Sequence, residues 1–239
     1  MCNMTELLFY HPLLSSDEVT LDPEESSHCV RSYRRKKGDL ITLVDGKGKE
    51  CQARIESDDP KNCKVRIEEC RSRPKNRSYD LHIAIAPVKQ TARMEWFVEK
   101  AVEFGIDKIS FMDCERSERS HINMEWMQRL AVAAMKQSRQ FWMPEIAGGK
   151  SFDEMVSDPR DHDLKLIAAI SDKNRVFKDA LDLSKKRLLV LIGPEGDFSK
   201  EEIDLALANK FVPVSLGENI LRTETAGIYA CAAVKALLS

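Results

Sequence analysis

Two loops near the end of the chain carry residue types and spacings that could bind a ligand. In the first, Gly193 ends an apolar run, Pro194 stiffens the turn, and Gly196 permits close backbone approach or a positive φ. The loop leads into a helix opened by Ser199 and Glu202, which are spaced as a capping box. Such a loop can present backbone amides to a ligand. It is also typical of an ordinary tight strand-to-helix connection.

The second loop, within residues 214–227, is unusual because it is apolar. A strand ends at Leu216 and Gly217, Ile220 and Leu221 follow, and residues 222–225 open the last helix. Surface connections are usually polar, so either a flat apolar ligand such as an adenine or a subunit interface would explain these side chains. Arg222 and Glu224 at the helix start are compatible with a salt bridge and a helix-N-terminal acid.

The elements around these loops predict a parallel sheet. After about residue 76, the apolar runs LHIAIAPV, KISFMD, LKLIAAI, RLLVLIG and FVPVSLG read as buried strands, and helices are expected over about 93–104, 123–140 and 224–238. This alternation indicates an α/β fold with helices on both faces. Ligands of such sheets bind beyond the carboxyl ends of the strands, where the end of LIAAIS near Ile170 would join the two loops.

The first 75 residues predict a different kind of unit. LITLVDG and ECQARIES flank a glycine-rich turn at 45–48, which indicates a hairpin, and Asp22-Pro23 indicates the start of a short helix. Short strands separated by turns suggest a small barrel. The polar stretch at 72–78 contains a proline, so we predict one domain over 1–75 and a second over 76–239.

Composition predicts a globular protein of the cytoplasm. The 239 residues are 43% hydrophobic and 32% charged, with no run long enough to span a membrane and no visible secretory signal. Seven scattered cysteines form no CxxC pair, so we expect ordinary thiols in a reducing compartment and neither a disulfide framework nor a zinc site. The five isolated histidines suggest no metal.

Basic residues are clustered although the net charge is only −2. One cluster consists of Arg31, Arg34, Arg35, Lys36 and Lys37, and a second of Arg71, Arg73, Lys75 and Arg77. Local basic patches on a neutral body are typical of a protein that contacts a polyanion at one place. Either cluster could instead be a solvated loop.

Several common nucleotide and hydrolase motifs are missing. No G-x-G-x-x-G follows a strand, and the chain has neither a Walker A sequence nor a G-x-S-x-G elbow. Dinucleotide dehydrogenases, P-loop NTPases and α/β-hydrolases are therefore poor fits.

Four segments in order along the chain resemble the RsmE family of the SPOUT superfamily, methyltransferases that act on N3 of a uridine in 16S ribosomal RNA. They are KQTARMEWFVEKAVEFGIDKI, AMKQSRQFWMPEI, LIGPEGDFSKEEI and LGENILRTETAG, and the most specific lie in the last fifty residues. The chain departs from the family pattern at three positions: Asp197 stands where glycine is common, Lys136 where Glu is frequent and Phe104 where Leu is usual. The change at Lys136 argues against a role for a carboxylate there.

The resemblance implies a fold, a cofactor and partners. It implies a PUA-like β-barrel that helps to bind RNA, followed by a trefoil-knotted domain that binds S-adenosylmethionine, in a homodimer acting on the small ribosomal subunit. Periodicity alone would not suggest a knot.

The resemblance also implies roles for individual residues. Arg222 would orient the uracil and stabilise its negative charge, and Glu224 is a candidate base. The implied cofactor-binding residues are Ile170, Ile192, Gly193, Pro194, Gly196, Leu216, Gly217, Ile220, Leu221 and Thr225. The implied RNA-binding residues are Arg31, Arg34, Arg35, Lys36, Lys89, Arg93 and Arg139.

Three alternatives remain. A SPOUT enzyme could methylate another RNA base or a ribose 2′-OH. A catalytically silent protein could bind RNA through its barrel and dimerise through its second domain. An unrelated α/β enzyme could use the loop at Gly193 for a phosphate.

Overall fold

The computed structural model describes residues 7–118, 122–158, 162–171, 174–182 and 184–238. It divides into two units, the first comprising Met1–Asn76 with Val132–Met143 and the second Arg77–Ala131 with Pro144–Ser239. The segment Val132–Met143 therefore belongs with the first unit, which a single boundary near residue 75 does not anticipate. None of the helices in the described ranges is long and apolar enough to cross a bilayer.

The first unit is built on a five-stranded sheet. Its elements are β1 (Leu8–Tyr10), β2 (Glu18–Thr20), helix α1 (Pro23–Ser27), a π-helical turn (His28–Ser32), β3 (Leu40–Val44), β4 (Lys49–Ser57) and β5 (Lys64–Ser72). The strand order in the sheet is β1-β3-β4-β5-β2. Alternate apolar residues from all five strands share one core, so the sheet curls around that core. Closure into a complete barrel stays a prediction.

Local signals explain the start of α1 and the hairpin between β3 and β4. Asp22 caps α1, because its Oδ1 accepts the Glu25 N–H at 2.8 Å. In the hairpin turn, Gly46 and Gly48 both have positive φ, 69° and 86°. Both predictions are confirmed.

The expectation that every cysteine is an ordinary thiol is wrong for one pair. Cys51 on β4 and Cys70 on β5 are register partners and form a disulfide, with their Cα atoms 4.1 Å apart. Their separation of 19 residues carries no recognisable motif, and only strand pairing brings them together. Cys29, Cys63, Cys114 and Cys231 are free and buried.

The second unit contains a seven-stranded sheet in which every pairing is parallel. Its strands are β6 (Asp80–Ile85), β7 (Lys108–Asp113), β8 (Glu145–Ser151), β9 (Leu164–Ala168), β10 (Arg175–Val176), β11 (Arg187–Ile192) and β12 (Val212–Ser215). The strand order is β10-β12-β9-β11-β6-β7-β8. The helices that start in this unit are α2 (Thr91–Phe104), α3 (Met124–Gln137), α4 (Phe152–Val156), α5 (Phe177–Ala180), α6 (Lys200–Ala208) and α7 (Thr223–Leu238).

Helices cover both faces of this sheet. Ala84 belongs to a core cluster with residues of α4 and α6. The next residue, Ile85, points to the opposite face. A Cβ added at Gly227 of α7 would lie 3.2 Å from Ile85 Cδ1 on that face. The same Cβ would lie 2.5 Å from Phe97 of α2, so glycine is what allows α7 to approach α2 and the sheet so closely.

The predicted central strands and long helices are confirmed, whereas the edges of the sheet were missed. Helix α2 ends at Gly105, which adopts the left-handed conformation with φ 83°. The edge strand β8 contains Gly148 and Gly149, and the opposite edge strand β10 has two residues. Neither has the long apolar run by which a buried strand is recognised.

Candidate active site

Three neighbouring strands bring their carboxyl ends together at one pocket. β12, β9 and β11 are adjacent in the sheet, so the loops that follow them meet at the same edge, where the first turn of α7 joins them. The pocket is lined by Ala168, Ala169, Ile170, Ser171, Ile192, Gly193, Pro194, Glu195, Asp197, Val214, Ser215, Leu216, Gly217, Glu218, Asn219, Ile220, Leu221, Thr223 and Ala226. This set contains eight of the ten predicted cofactor-binding residues.

The structure does not bring Gly196 or Thr225 to the pocket lining. A Cβ at Gly196 would instead contact Arg116 at 3.6 Å, and Arg116 Nη1 donates to the Gly196 carbonyl at 3.0 Å. Thr225 is exposed; the residues of α7 that line the pocket are Thr223 and Ala226. Their i, i+3 spacing places those two on one helix face and Thr225 on another, a signal available from the sequence.

In the first loop, the residue with a positive φ lies one position after the one that the sequence predicts. The positive φ falls on Asp197, at 59°, and not on Gly196. Gly193 packs closely, because a Cβ there would lie 3.1 Å from the Phe198 ring and would require that ring to shift. In the second loop, Gly217 has φ 131°, a conformation that L side chains rarely adopt.

Hydrogen bonds tie the loops to one another. The Thr223 hydroxyl donates to the Gly193 carbonyl at 3.1 Å, which joins the first residue of α7 to the end of β11. The Ile170 N–H donates to Asp197 Oδ2 at 2.9 Å, which joins the loops after β9 and β11. These two hydrogen bonds therefore connect the loop after β11 both to the loop after β9 and to the start of α7.

The lining fits a ligand with a flat apolar part and a positive charge. Ile192, Leu216, Ile220 and Leu221 supply apolar surface, and Ile220 is 79% exposed at its rim. The charged lining residues are Glu195, Asp197 and Glu218, and no described lining residue is basic. S-adenosylmethionine, with an adenine and a sulfonium, has this chemistry.

Three charged residues lie beside the pocket, around the start of α7. Arg222 is exposed, and no ion pair or hydrogen bond of its side chain is recorded within the described ranges. Glu224 is 7% exposed; its Oε1 lies 3.8 Å from Arg93 Nε, and its buried Oε2 has no hydrogen-bond partner among the described residues. Arg93 Nη1 also donates to Glu195 at 2.6 Å. Arg93 thus links α2, α7 and the loop after β11, which the prediction of a simple RNA contact does not include.

The first basic cluster is presented to solvent on the first unit. Arg31, Arg34 and Lys36 are exposed, and Arg35 is half-buried. Tyr33, an aromatic residue that the charge pattern does not reveal, lies among them and is exposed as well. The cluster has the composition of a nucleic-acid contact surface.

The side chains of the second basic cluster contact other residues of the protein. Arg71 and Arg73 both pair with Glu50. Lys75 lies over the Trp142 ring, 5.3 Å from its centroid, and Arg77 pairs with Asp107 at 2.6 Å. These side chains have partners within the protein, which neither the polyanion contact nor the solvated loop expected from the sequence includes.

The remaining predicted RNA contacts have mixed surroundings. Lys89 is exposed, 3.9 Å from Glu118. Arg139 is exposed just after α3, with φ 56°.

Lys136, where the RsmE pattern often has Glu, pairs with the buried Glu25 in the first unit, so its charge serves the packing of that unit. No group of three or more His, Cys, Asp or Glu that could hold a metal occurs among the described residues.

Comparison with known proteins identifies the class. The model of the RNA methyltransferase domain family matches residues 74–235, and that of the RNA methyltransferase PUA domain matches residues 21–68. The chain belongs to the RNA methyltransferase domain family.

Individual relatives match over nearly the whole chain. A probable rRNA-methyltransferase from Porphyromonas gingivalis is 40% identical, with a TM-score of 0.90 over 97% of this chain and 98% of the other. Ribosomal RNA small subunit methyltransferase E from Neisseria gonorrhoeae, crystallised with S-adenosylmethionine, is 26% identical, with a TM-score of 0.86 over 98% of both chains. The protein of the same name from Rickettsia conorii is 29% identical over 94% of this chain and 92% of its own.

Proposed function

We propose that this chain transfers the methyl group of S-adenosylmethionine to N3 of a uridine in 16S ribosomal RNA of the small subunit. The observation that carries the proposal is the pocket formed by the loops after β9, β11 and β12, which has acidic and apolar lining and no basic residue in its described part. A protein of the same fold that bears the name of a small-subunit rRNA methyltransferase was crystallised with S-adenosylmethionine.

The chemistry requires a proton acceptor and a stabiliser of negative charge. When bound, the cofactor supplies an electrophilic methyl group on a sulfonium. The uracil N3–H must lose its proton so that the nitrogen lone pair can form the new bond. Glu224, whose buried Oε2 has no hydrogen-bond partner within the described part of the chain, is the candidate acceptor, and Arg93 Nε lies 3.8 Å from its other oxygen. The exposed guanidinium of Arg222 would stabilise negative charge on the uracil oxygens.

The finer features implied by the resemblance belong to the same proposal. The second unit would contain a trefoil knot, and the chain would act as a homodimer in the cytoplasm, where small ribosomal subunits are found. The exposed Ile220 at the pocket rim supports an additional surface over the site.

The direct test is product analysis. The purified protein is incubated with methyl-labelled S-adenosylmethionine and small subunits from cells that lack the modification, and the digested RNA is analysed by nucleoside. We expect the label in 3-methyluridine. Label in another base or in a ribose would show another acceptor, and the absence of both label and cofactor binding would contradict the enzyme assignment.

Arg222→Ala tests the proposed site. We expect kcat to fall about 100-fold, because a stabiliser of developing negative charge is lost, while the Kd for S-adenosylmethionine stays within about twofold. Steady-state kinetics at saturating RNA and cofactor and calorimetric titration measure the two quantities. Arg129→Ala, which removes another exposed arginine, is the control. A normal kcat in Arg222→Ala would remove this residue from the mechanism.

A further inference from the structure

Asp197 joins two sides of the pocket from an unusual backbone conformation. Its φ of 59° lies in the left-handed region, which Asn and Asp tolerate better than most other non-glycine residues. Its N–H donates to the Pro194 carbonyl at 3.0 Å. Its Oδ2 accepts the Ile170 N–H at 2.9 Å, and both residues line the pocket.

The other carboxylate oxygen of Asp197 is available to a ligand. No partner for Oδ1 is recorded within the described ranges, whereas Glu195, a second acid of the lining, is paired with Arg93 at 2.6 Å. The third lining acid, Glu218, is exposed, while Asp197 is half-buried. Burial reduces screening by water, so the charge of Asp197 acts most strongly on a ligand in the pocket.

We propose that Asp197 is a specificity-determining residue that favours the sulfonium cofactor over its neutral thioether product. The inference rests on the proposed function and assigns a role within that site. The nucleophilic nitrogen forms a bond to the methyl carbon and the carbon–sulfur bond breaks, with its electron pair remaining on sulfur. The ligand loses one positive charge in this step, and with it the attraction to Asp197, so release of the product becomes easier.

Two functions of the side chain can be separated by substitution. Asn at position 197 keeps an oxygen that can accept the Ile170 N–H and tolerates a positive φ, but it carries no charge. Gly adopts the same backbone without strain and removes both the charge and the hydrogen bond. Both variants are therefore expected to fold. Asp204→Asn, at an exposed position of α6 outside the pocket lining, makes the same change in net charge and is the control.

The experiment measures Kd by calorimetry for S-adenosylmethionine and S-adenosylhomocysteine. In Asp197→Asn we expect the Kd for S-adenosylmethionine to rise about fivefold, the order expected for a partly screened charge pair, and the Kd for S-adenosylhomocysteine to change less than twofold. Asp197→Gly should weaken both ligands. Hydrogen exchange of the Ile170 amide should accelerate in Asp197→Gly only, and Asp204→Asn should match the wild type.

The outcomes distinguish the two proposals. A wild-type protein that binds neither ligand would contradict the proposed function and, with it, this inference. A wild-type protein that binds both, with the same ratio of the two Kd values in Asp197→Asn, would overturn the role of Asp197 and leave the proposed function intact.

Discussion

Glu224 has surroundings that few surface carboxylates share. A buried acceptor atom without a partner costs free energy, about 1–3 kcal/mol for a neutral group and more for a charged one. Oε2 of Glu224 is such an atom within the described chain, while Oε1 lies 3.8 Å from Arg93. This arrangement is consistent with an acceptor that completes its hydrogen bonding when substrate is bound. From the sequence alone, a structural helix-N-terminal acid is the more common interpretation of such a residue.

Glu224→Gln separates these two roles. The amide preserves the shape but is a far weaker proton acceptor, so we expect the rate constant of methyl transfer to fall about 100-fold or more and the Kd for S-adenosylmethionine to change little. Rapid-quench single-turnover measurements would give the chemical step. Glu201→Gln removes an exposed acid from the first turn of α6, outside the pocket lining, and serves as the control. Unchanged chemistry in Glu224→Gln would assign this carboxylate to helix stability alone.

At the scale of elements, charged side chains fix how neighbouring segments meet. Glu202 completes the capping box of α6, and its Oε1 also accepts the Glu115 N–H at 2.9 Å, so the cap holds the loop after β7. In the first unit, Glu50 on β4 is 3% exposed and accepts two hydrogen bonds from Arg71 at 2.8 Å and another from Arg73. These bonds join β4 to the end of β5.

The Glu50 contacts predict a pH dependence of stability. Hydrogen bonds from Arg71, followed by those from Arg73, lower the pKa of Glu50 from 4.5 to about 2 against the opposing effect of burial. A carboxyl with a lower pKa in the folded state stabilises above its unfolded pKa, and this contribution disappears as the pH falls from about 4.5 to 2. Glu50→Gln should therefore cost about 2 kcal/mol at pH 7, less than the full shift implies because both arginines are partly exposed.

Urea unfolding at pH 7 and pH 3 measures this effect. The difference between wild type and Glu50→Gln should narrow at pH 3. The control is Glu68→Gln, which removes an exposed ion pair with Arg54 and should cost less than about 1 kcal/mol. An equal loss for Glu50→Gln at both pH values would show that its carboxylate charge does not stabilise the fold.

At the scale of the whole molecule, charge is distributed unevenly on a chain whose net charge is −2. The side chains of the second basic cluster contact Glu50, Trp142 and Asp107. Those of the first cluster lie around Tyr33 and are mostly exposed. RNA affinity should therefore depend on the first cluster.

Replacing Arg31 and Lys36 together by Gln tests this distribution. Each phosphate contact to single-stranded RNA contributes about 0.7 to the slope of log K against log salt, so the slope should decrease by about 1.4. Binding is measured by filter retention or fluorescence anisotropy at several salt concentrations. Replacing Lys61 and Lys64, two exposed lysines of the same unit, is the matched control. An unchanged slope in the first variant would exclude the cluster from the RNA interface.

The sequence by itself determined the elements that depend on local signals: the capped starts of α1 and α6, the end of α2 at Gly105, the hairpin turn and the central strands. It also marked the two loops as candidate ligand sites, because glycine and apolar side chains at predicted strand ends are visible without a fold. The cofactor-binding role of the eight residues that line the pocket was implied by the resemblance to the RsmE family. Only the tertiary structure paired Cys51 with Cys70, placed Val132–Met143 in the first unit and joined Asp197 to Ile170. These contacts connect residues far apart in the chain, and their partners are set by strand register and loop packing, which periodicity does not encode.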